Sequence, residues 1–304
     1  MIPVTVIGGY LGAGKTTLVN HALRHAGGQR LAILVNEFGA LPIDEDLVEA
    51  TGEDIISIAG GCICCSFGND LMGALMRLAA LDPAPDHILI EASGVAIPAS
   101  IAASLTLLAQ VRLNAIVVLA DATTIRAHAA DKYLSDTVLR QLREADLVVL
   151  TKTDLAAPGS QAELTGWLGA RAPGAQVLAA VQGAVPLAVL LGPADREGVP
   201  EALPHSDADF DSAVLEPPGP MEPEALRAAL AEPEFGVVRA KGFFRGPDGA
   251  RRLVQAVGQS CEITPAETAG RETLVVIGLR AHLRAEALAA RLWPQDSSAP
   301  GTAK

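Results

Sequence analysis

Short apolar runs recur along the first two thirds of the chain, at residues 4–7, 31–35, 55–58, 87–90, 115–119, 147–150 and 176–178. Between them lie stretches whose apolar positions fall three and four apart, at 17–23, 71–81, 101–110, 134–144 and 162–171. The short runs read as strands buried on both faces and the spaced stretches as amphipathic helices. Strand and helix in strict alternation predict crossover units, hence an α/β fold with a mostly parallel sheet and helices on both faces. In such a sheet ligands gather beyond the carboxyl ends of the strands. Functional residues are therefore expected just after each run.

From residue 192 to 223 prolines accumulate and the periodicity lapses, which reads as a linker. A second, smaller α+β block follows over 224–293. Within it, 222–231 and 284–292 read as helices, and 237–244, 252–257 and 273–279 as strands. The last residues, 294–304, are expected to be disordered.

Composition narrows the function classes. Half of the 304 residues are apolar but only 3% are aromatic, so the core is built from Ala, Leu, Val and Ile. Acidic residues outnumber basic ones 35 to 23, a net charge of −12, which argues against nucleic acid and against anionic membrane surfaces as partners. No apolar run approaches the roughly 18 residues a membrane helix needs. The N-terminus enters the first strand directly, without a basic segment and apolar signal core. A cytoplasmic setting is expected. Three of the four cysteines, Cys62, Cys64 and Cys65, fall within four positions, the fourth being Cys261. In a reducing compartment such a cluster points to metal binding or redox chemistry rather than to a disulfide framework.

The first run leads into Gly9-Tyr10-Leu11-Gly12-Ala13-Gly14-Lys15-Thr16 and then a helical stretch. G-x-x-x-x-G-K-T between a strand and a helix is a phosphate-binding loop. Its glycines let backbone N–H groups from Gly9, Gly12, Ala13 and Gly14 face phosphate oxygens, and the helix adds its positive end, including Thr17. Lys15 would reach the terminal phosphates, and the Thr16 hydroxyl would bind Mg²⁺. The second run leads into Asn36-Glu37-Phe38-Gly39, where Glu37 suits a mobile switch loop near Mg²⁺; an ordinary turn is the alternative.

The third run leads into Gly60-Gly61-Cys62-Ile63-Cys64-Cys65. Thiolates are soft ligands suited to Zn²⁺ and other late transition metals. Three of them leave the ion's shell incomplete, which fits a transfer site better than a closed structural one. A redox pair and a buried turn of packed cysteines are the alternatives.

The fourth run ends in Glu91-Ala92-Ser93-Gly94. A carboxylate closing an apolar strand here is the Walker-B position, which holds Mg²⁺ directly or through water, and Gly94 offers an amide to a γ-phosphate. The sixth run leads into Thr151-Lys152-Thr153-Asp154, where Asp154 can accept both N–H donors of guanine's recognition edge. Adenine has no such pair, and a carboxylate deprived of its donors is costly, so the base is selected. Val181-Gln182-Gly183, after the last run of the sheet, is placed to cover the base.

Together, G-G-Y-L-G-A-G-K-T-T at 8–17, N-E-F-G at 36–39, G-G-C-I-C-C at 60–65, E-A-S-G at 91–94 and T-K-T-D at 151–154 resemble the CobW family of metal-chaperone GTPases, with zinc-transfer GTPases and nitrile hydratase activators among its members. Arg239-Ala240-Lys241-Gly242-Phe243 resembles the opening of that family's C-terminal domain. The resemblance spans about residues 2–293. It implies a P-loop GTPase domain over 1–191 and a CobW-type domain over 224–293. It also implies a GTPase acting through Lys15, Glu37 and Glu91, with GTP and Mg²⁺ as cofactors; no arginine finger or catalytic glutamine is placed by motif, so slow basal turnover is expected. Cys62, Cys64 and Cys65, with Thr16, Glu37 and Glu91 nearby, are the implied metal residues. Zn²⁺ or Co²⁺ would pass to a metal-requiring client protein or chelatase, and a homo-oligomer is compatible with the pattern. An ATP- or GTP-dependent small-molecule kinase and a thiol redox-sensing NTPase are the competing readings.

There are departures from the family pattern. The base-reading motif begins with Thr151 where Asn is usual. Ile97-Pro98 stands where many members carry an acidic residue before the proline. The chain's six histidines form no metal-storing tract.

Overall fold

The computed structural model describes residues 1–36, 55–60, 69–193, 195–196, 199–200, 210–266 and 271–294. They fall into two compact units, Met1–Leu191 and Gly192–Lys304. The first runs β1 (Ile2–Gly9), α1 (Lys15–Arg24), β2 (Leu31–Asn36), β3 (Ile55–Gly60), α2 (Asn69–Ala79), β4 (His87–Glu91), α3 (Pro98–Leu105), β5 (Val111–Asp121), α4 (Ile125–Ala130), α5 (Ser135–Arg143), β6 (Leu147–Thr151), α6 (Ser160–Gly169), β7 (Gln176–Ala180) and α7 (Leu187–Leu191). Its strands form one sheet in the order β3-β2-β4-β1-β5-β6-β7, each adjacent pair parallel.

Every run expected as a strand is one. The ladder carries several of them on to a polar residue: β4 ends at Glu91, β5 at Asp121 and β6 at Thr151. Two helices were not expected. At six and five residues, α4 and α7 are too short to show a 3.6-residue period. On one face, Val4, Val6, Ile88 and Ile90 pack with Leu75 and Leu78 of α2 and with Ile101 and Leu105 of α3. Ile7 and Leu89, pointing the other way, are also fully buried, so both faces are covered. Farther along the sheet, Val118, Ala120, Val148 and Leu150 pack with Val138 and Leu142 of α5 and Leu164 and Leu168 of α6. Thr5, in mid-strand, is fully buried, and its hydroxyl is matched by His87 Nε2 at 2.8 Å and Asn114 Nδ2 at 2.9 Å.

The second unit contains β8 (Asp195–Arg196), β9 (Val199–Pro200), β10 (Phe210–Leu215), α8 (Pro223–Ala231), β11 (Val237–Arg245), β12 (Arg251–Val257), β13 (Ser260–Pro265), β14 (Leu274–Leu279) and α9 (Ala285–Leu292). β8 and β9 form a two-stranded ribbon, and the other five make an antiparallel sheet in the order β10-β14-β11-β12-β13. Leu226, Leu230 and Leu288 of the helices pack on Phe244, Val254 and Val276.

The expected linker over 192–223 needs correction. β10 lies inside it and pairs along its whole length with β14, from Phe210↔Leu279 to Leu215↔Leu274. Both unexpected strands of this sheet, β10 and β13, are its edges. An edge strand half open to water carries little apolar signal, as Val214 at 48% exposure shows. Among the described residues, no helix is long and apolar enough to cross a membrane.

Candidate functional site

β1 is flanked by β4 and β5, and its C-terminal end opens into the glycine-rich loop. Gly9, Gly12 and Gly14 take φ values of 128, 75 and 96°, a backbone region that side chains with a Cβ resist. They fold the chain back on itself so that α1 starts at Lys15. Gly14 caps α1 without a side-chain hydrogen bond, and the first turn of a helix is where backbone amides meet an anion. Lys15 is buried, and its ammonium donates to the Gly9 carbonyl at 3.1 Å. Thr17, in the first turn of the helix, is exposed.

Glu91 ends the neighbouring strand opposite Ile7 and is 4% exposed. The Thr16 hydroxyl donates to its Oε1 at 3.0 Å. A hydroxyl and a carboxylate converging from α1 and β4 are hard oxygen donors of the kind Mg²⁺ prefers, so the residues present fit that ion. The chain then doubles over the loop. Gly94 lies so close that a Cβ built on it would stand 2.8 Å from the Leu11 nitrogen. Gln141, on α5 and 1% exposed, holds this segment by donating to the carbonyls of Gly94 at 3.2 Å and Ala96 at 2.7 Å.

The third side comes from β5, β6 and β7. Thr151 is buried, and its hydroxyl donates to the Ala13 carbonyl at 2.8 Å, with a longer contact to Ala120 at 3.3 Å. The usual Asn is absent, yet a contact from this position to the glycine-rich loop is made. Lys152 follows in left-handed backbone at φ 54°, and its ammonium meets Asp121 Oδ2 at 2.7 Å. Thr123 donates to Asp121 Oδ1 from its amide at 2.8 Å and its hydroxyl at 2.6 Å. Burial pushes the Asp121 carboxyl up, but Lys152 and the two Thr123 donors outweigh it and hold the group below its ordinary value. Asp154 is exposed on the turn that follows, which is closed by Leu155 N donating to Lys152 O at 3.0 Å. Val181, 43% exposed, precedes Gly183, where a Cβ would stand 2.9 Å from the Leu18 Cα. The loop after β7 thus lies against the first turn of α1.

The structure brings Gly9–Thr16, Glu91, Gly94, Thr151, Lys152 and Val181–Gly183 to one end of one sheet. Glu37, Cys62, Cys64 and Cys65 lie outside the described residues. The strands leading to them do finish at this edge: Val35 is in register with Glu91, and Asn36 with Gly60. Among the described residues, no three His, Cys, Asp or Glu side chains are grouped to hold a metal. Cys261, on β13, is half-buried, and burial pushes its thiol up to about 11, so it is a poor nucleophile.

Two residues of the site are not apparent from the sequence. Asp121 carries the same signal as Glu91, a carboxylate closing an apolar strand, but it stands two residues beyond the apolar run at 115–119. Gln141 carried none, because a buried glutamine inside a helix looks like an exposed one.

Known proteins resemble this chain along most of its length. The model of the CobW/HypB/UreG nucleotide-binding domain matches residues 3–179, and that of the cobalamin synthesis protein cobW C-terminal domain matches 210–293. A relative from a Sinorhizobium species, named zinc chaperone CobW, is 33% identical over 91% of this chain and 93% of its own. One of the same name from Pseudomonas aeruginosa is 32% identical over 85% of this chain and 81% of its own. The solved Zn(II)-bound YjiA GTPase from E. coli is 26% identical and covers 95% of this chain and 97% of its own, with a TM-score of 0.44.

Proposed function

The chain belongs to the CobW/HypB/UreG family, with a CobW C-terminal domain behind its nucleotide-binding domain, and from that premise we propose that it is a GTP-hydrolysing metallochaperone. The observation that carries the proposal is the Thr16–Glu91 contact, which sets a hydroxyl and a buried carboxylate side by side beneath the glycine-rich loop. The loop amides from Gly9 to Gly14 take the phosphates, and the Lys15 ammonium exchanges the Gly9 carbonyl for a phosphate oxygen. When bound, Mg²⁺ would be held by Thr16 and Glu91 and would neutralise charge developing on the transferred phosphoryl group. The Gly94 amide sits next to the loop, where a γ-phosphate contact belongs. Asp154 accepts from guanine, Lys152 flanks it and Val181 covers the base. No arginine finger or water-orienting glutamine is placed by motif, so basal turnover is slow.

The cargo is a transition metal bound by the thiolates of Cys62, Cys64 and Cys65, with Glu37 on the adjoining switch segment. Three relatives bear the name zinc chaperone, which favours Zn²⁺ over Co²⁺. Delivery is to a metal-requiring client protein or chelatase in the cytoplasm, with hydrolysis as the release signal. The test is nucleotide binding and turnover with Mg²⁺. Wild-type protein should bind GDP well ahead of ADP and release phosphate from GTP. Lys15→Ala should abolish both binding and turnover, and normal activity in that variant would overturn the assignment. Transfer of the phosphoryl group to a small molecule rather than to water would place the chain among the kinases instead.

A further inference from the structure

We propose that Asp121 is a positioning residue of the base pocket, acting through Lys152 to hold the turn that presents Asp154. This rests on the guanine-nucleotide reading above.

The geometry is specific to the pair. Asp121 is the last residue of β5, and its side chain is 9% exposed. The Thr123 amide and hydroxyl both bind Oδ1, which fixes the plane of the carboxylate and turns Oδ2 toward the next strand. There it meets the Lys152 ammonium at 2.7 Å, at the short end of the range for a charge-assisted hydrogen bond. Ala122 N donates to Thr151 O at 2.9 Å, so the exits of β5 and β6 stay locked in register beside the pair.

Lys152 needs such a hold. Its φ of 54° is a conformation that a residue with a side chain adopts at a cost, and surrounding structure must maintain it. Asp154 lies two residues on, within the turn closed by Leu155 N to Lys152 O. An ion pair anchoring Lys152 to a neighbouring strand therefore fixes where the base-reading carboxylate starts from. It also settles which end of the nucleotide Lys152 serves. With its ammonium committed to Asp121, Lys152 offers the base its partly exposed aliphatic stem rather than offering the phosphates its charge.

The consequence is separable from phosphate binding. Among the described residues, the Asp121 carboxylate is bound by Thr123 and Lys152, whereas Lys15, Thr16 and Glu91 lie on α1 and β4. Loss of the Asp121 charge should therefore damage recognition of the base and leave recognition of the phosphate chain intact.

The experiment compares wild type, Asp121→Asn, Lys152→Met and the double variant in the full chain. Affinities for GDP, ADP and inorganic tripolyphosphate are measured with Mg²⁺, and thermal melts check folding. Asp121→Asn should weaken GDP roughly tenfold and narrow the GDP-to-ADP ratio, while tripolyphosphate stays within about twofold of wild type. The double variant should bind GDP no more weakly than Lys152→Met, because one residue acts through the other. An unchanged GDP-to-ADP ratio in Asp121→Asn overturns the proposal. So does an equal loss for GDP and tripolyphosphate, which would mark general damage, or additive losses in the double variant. Wild-type protein that binds GDP and ADP alike overturns the guanine reading itself, and is distinguished from these by needing no variant.

Discussion

The hydroxyl of Thr151 donates a 2.8 Å hydrogen bond to the carbonyl of Ala13, 138 positions earlier in the chain. It ties the end of β6 to the middle of the glycine-rich loop. Ala13 is 2% exposed, so its carbonyl has little water to turn to if the hydroxyl is lost. Thr151→Val keeps the shape and removes the donor. The cost of an unmatched buried carbonyl is about 1–3 kcal/mol, roughly five- to 150-fold in an equilibrium. GDP affinity by fluorescent-nucleotide titration should fall by about that factor in Thr151→Val and stay near wild type in Thr151→Ser. Equal affinity in the valine variant would show that the loop holds its shape unaided.

The Gln141 side chain gives a second prediction, on the other side of the loop. Its amide reaches two carbonyls, Gly94 and Ala96, in the segment that begins at Glu91. Gln141→Leu leaves both without their donor, at a cost of about 2 kcal/mol. In a domain of this size the melting temperature should drop by roughly 4–8 °C. The Glu91–Ala96 segment would also lose its fixed position over Leu11. GTP turnover should therefore fall more than GDP binding does. A variant that melts early but keeps its wild-type kcat would reduce Gln141 to a packing role.

Acid should expose the Asp121 ion pair in stability as well. The Asp121 carboxyl is held below its ordinary value in the folded chain, because Lys152 and Thr123 outweigh the opposing effect of burial. A depressed carboxylate stabilises the fold fully above its unfolded value, and that contribution is lost as pH falls through the folded value. Chemical denaturation of wild type and Asp121→Asn should show a constant difference from neutrality down to about pH 5, narrowing below about pH 4. A difference that widens in acid would mean the carboxylate is not the stabilising form.

These residues also show what could be read from the sequence and what could not. Glu91 and Thr151 were legible because each closes an apolar run at a fixed distance from other motif residues. Asp121 closes a run in the same way, but Leu119-Ala120-Asp121 carries no motif to mark it. Helix periodicity identifies a face, not the burial of one polar residue on it, so Gln141 was invisible. The core strands of the first sheet were plain because both faces are apolar. β10 and β13 leave little trace because the edge of an antiparallel sheet alternates weakly, and the prolines around β10 read as a linker. That the shorter Thr151 side chain still reaches the Ala13 carbonyl needed the fold itself, since a motif position carries no distance.

The last prediction concerns the coupling that separates a metallochaperone from an ordinary GTPase. β2 and β3 end in register with Glu91, at the edge where the nucleotide loop lies. Glu37 follows the first of these strands, and Cys62, Cys64 and Cys65 follow the second. A switch segment ordered by γ-phosphate and Mg²⁺ is released on hydrolysis. If Glu37 and the thiolates move with it, metal affinity must differ between the GTP-analogue and GDP states. Linkage then obliges the metal to change nucleotide affinity by the same factor, roughly tenfold for a typical coupling. Zn²⁺ or Co²⁺ is titrated into the full chain with Mg²⁺ and a non-hydrolysable GTP analogue, and again with GDP. Co²⁺ reports thiolate ligation through a sulfur-to-metal charge-transfer band. Replacing Cys64 and Cys65 with Ser should remove that band and leave GDP binding largely intact. Binding to thiolates expels protons, so the measured affinity should also fall as pH drops. Equal metal affinity in the two nucleotide states would defeat the chaperone mechanism even in a protein that hydrolyses GTP well, because hydrolysis would then have no means of releasing the cargo.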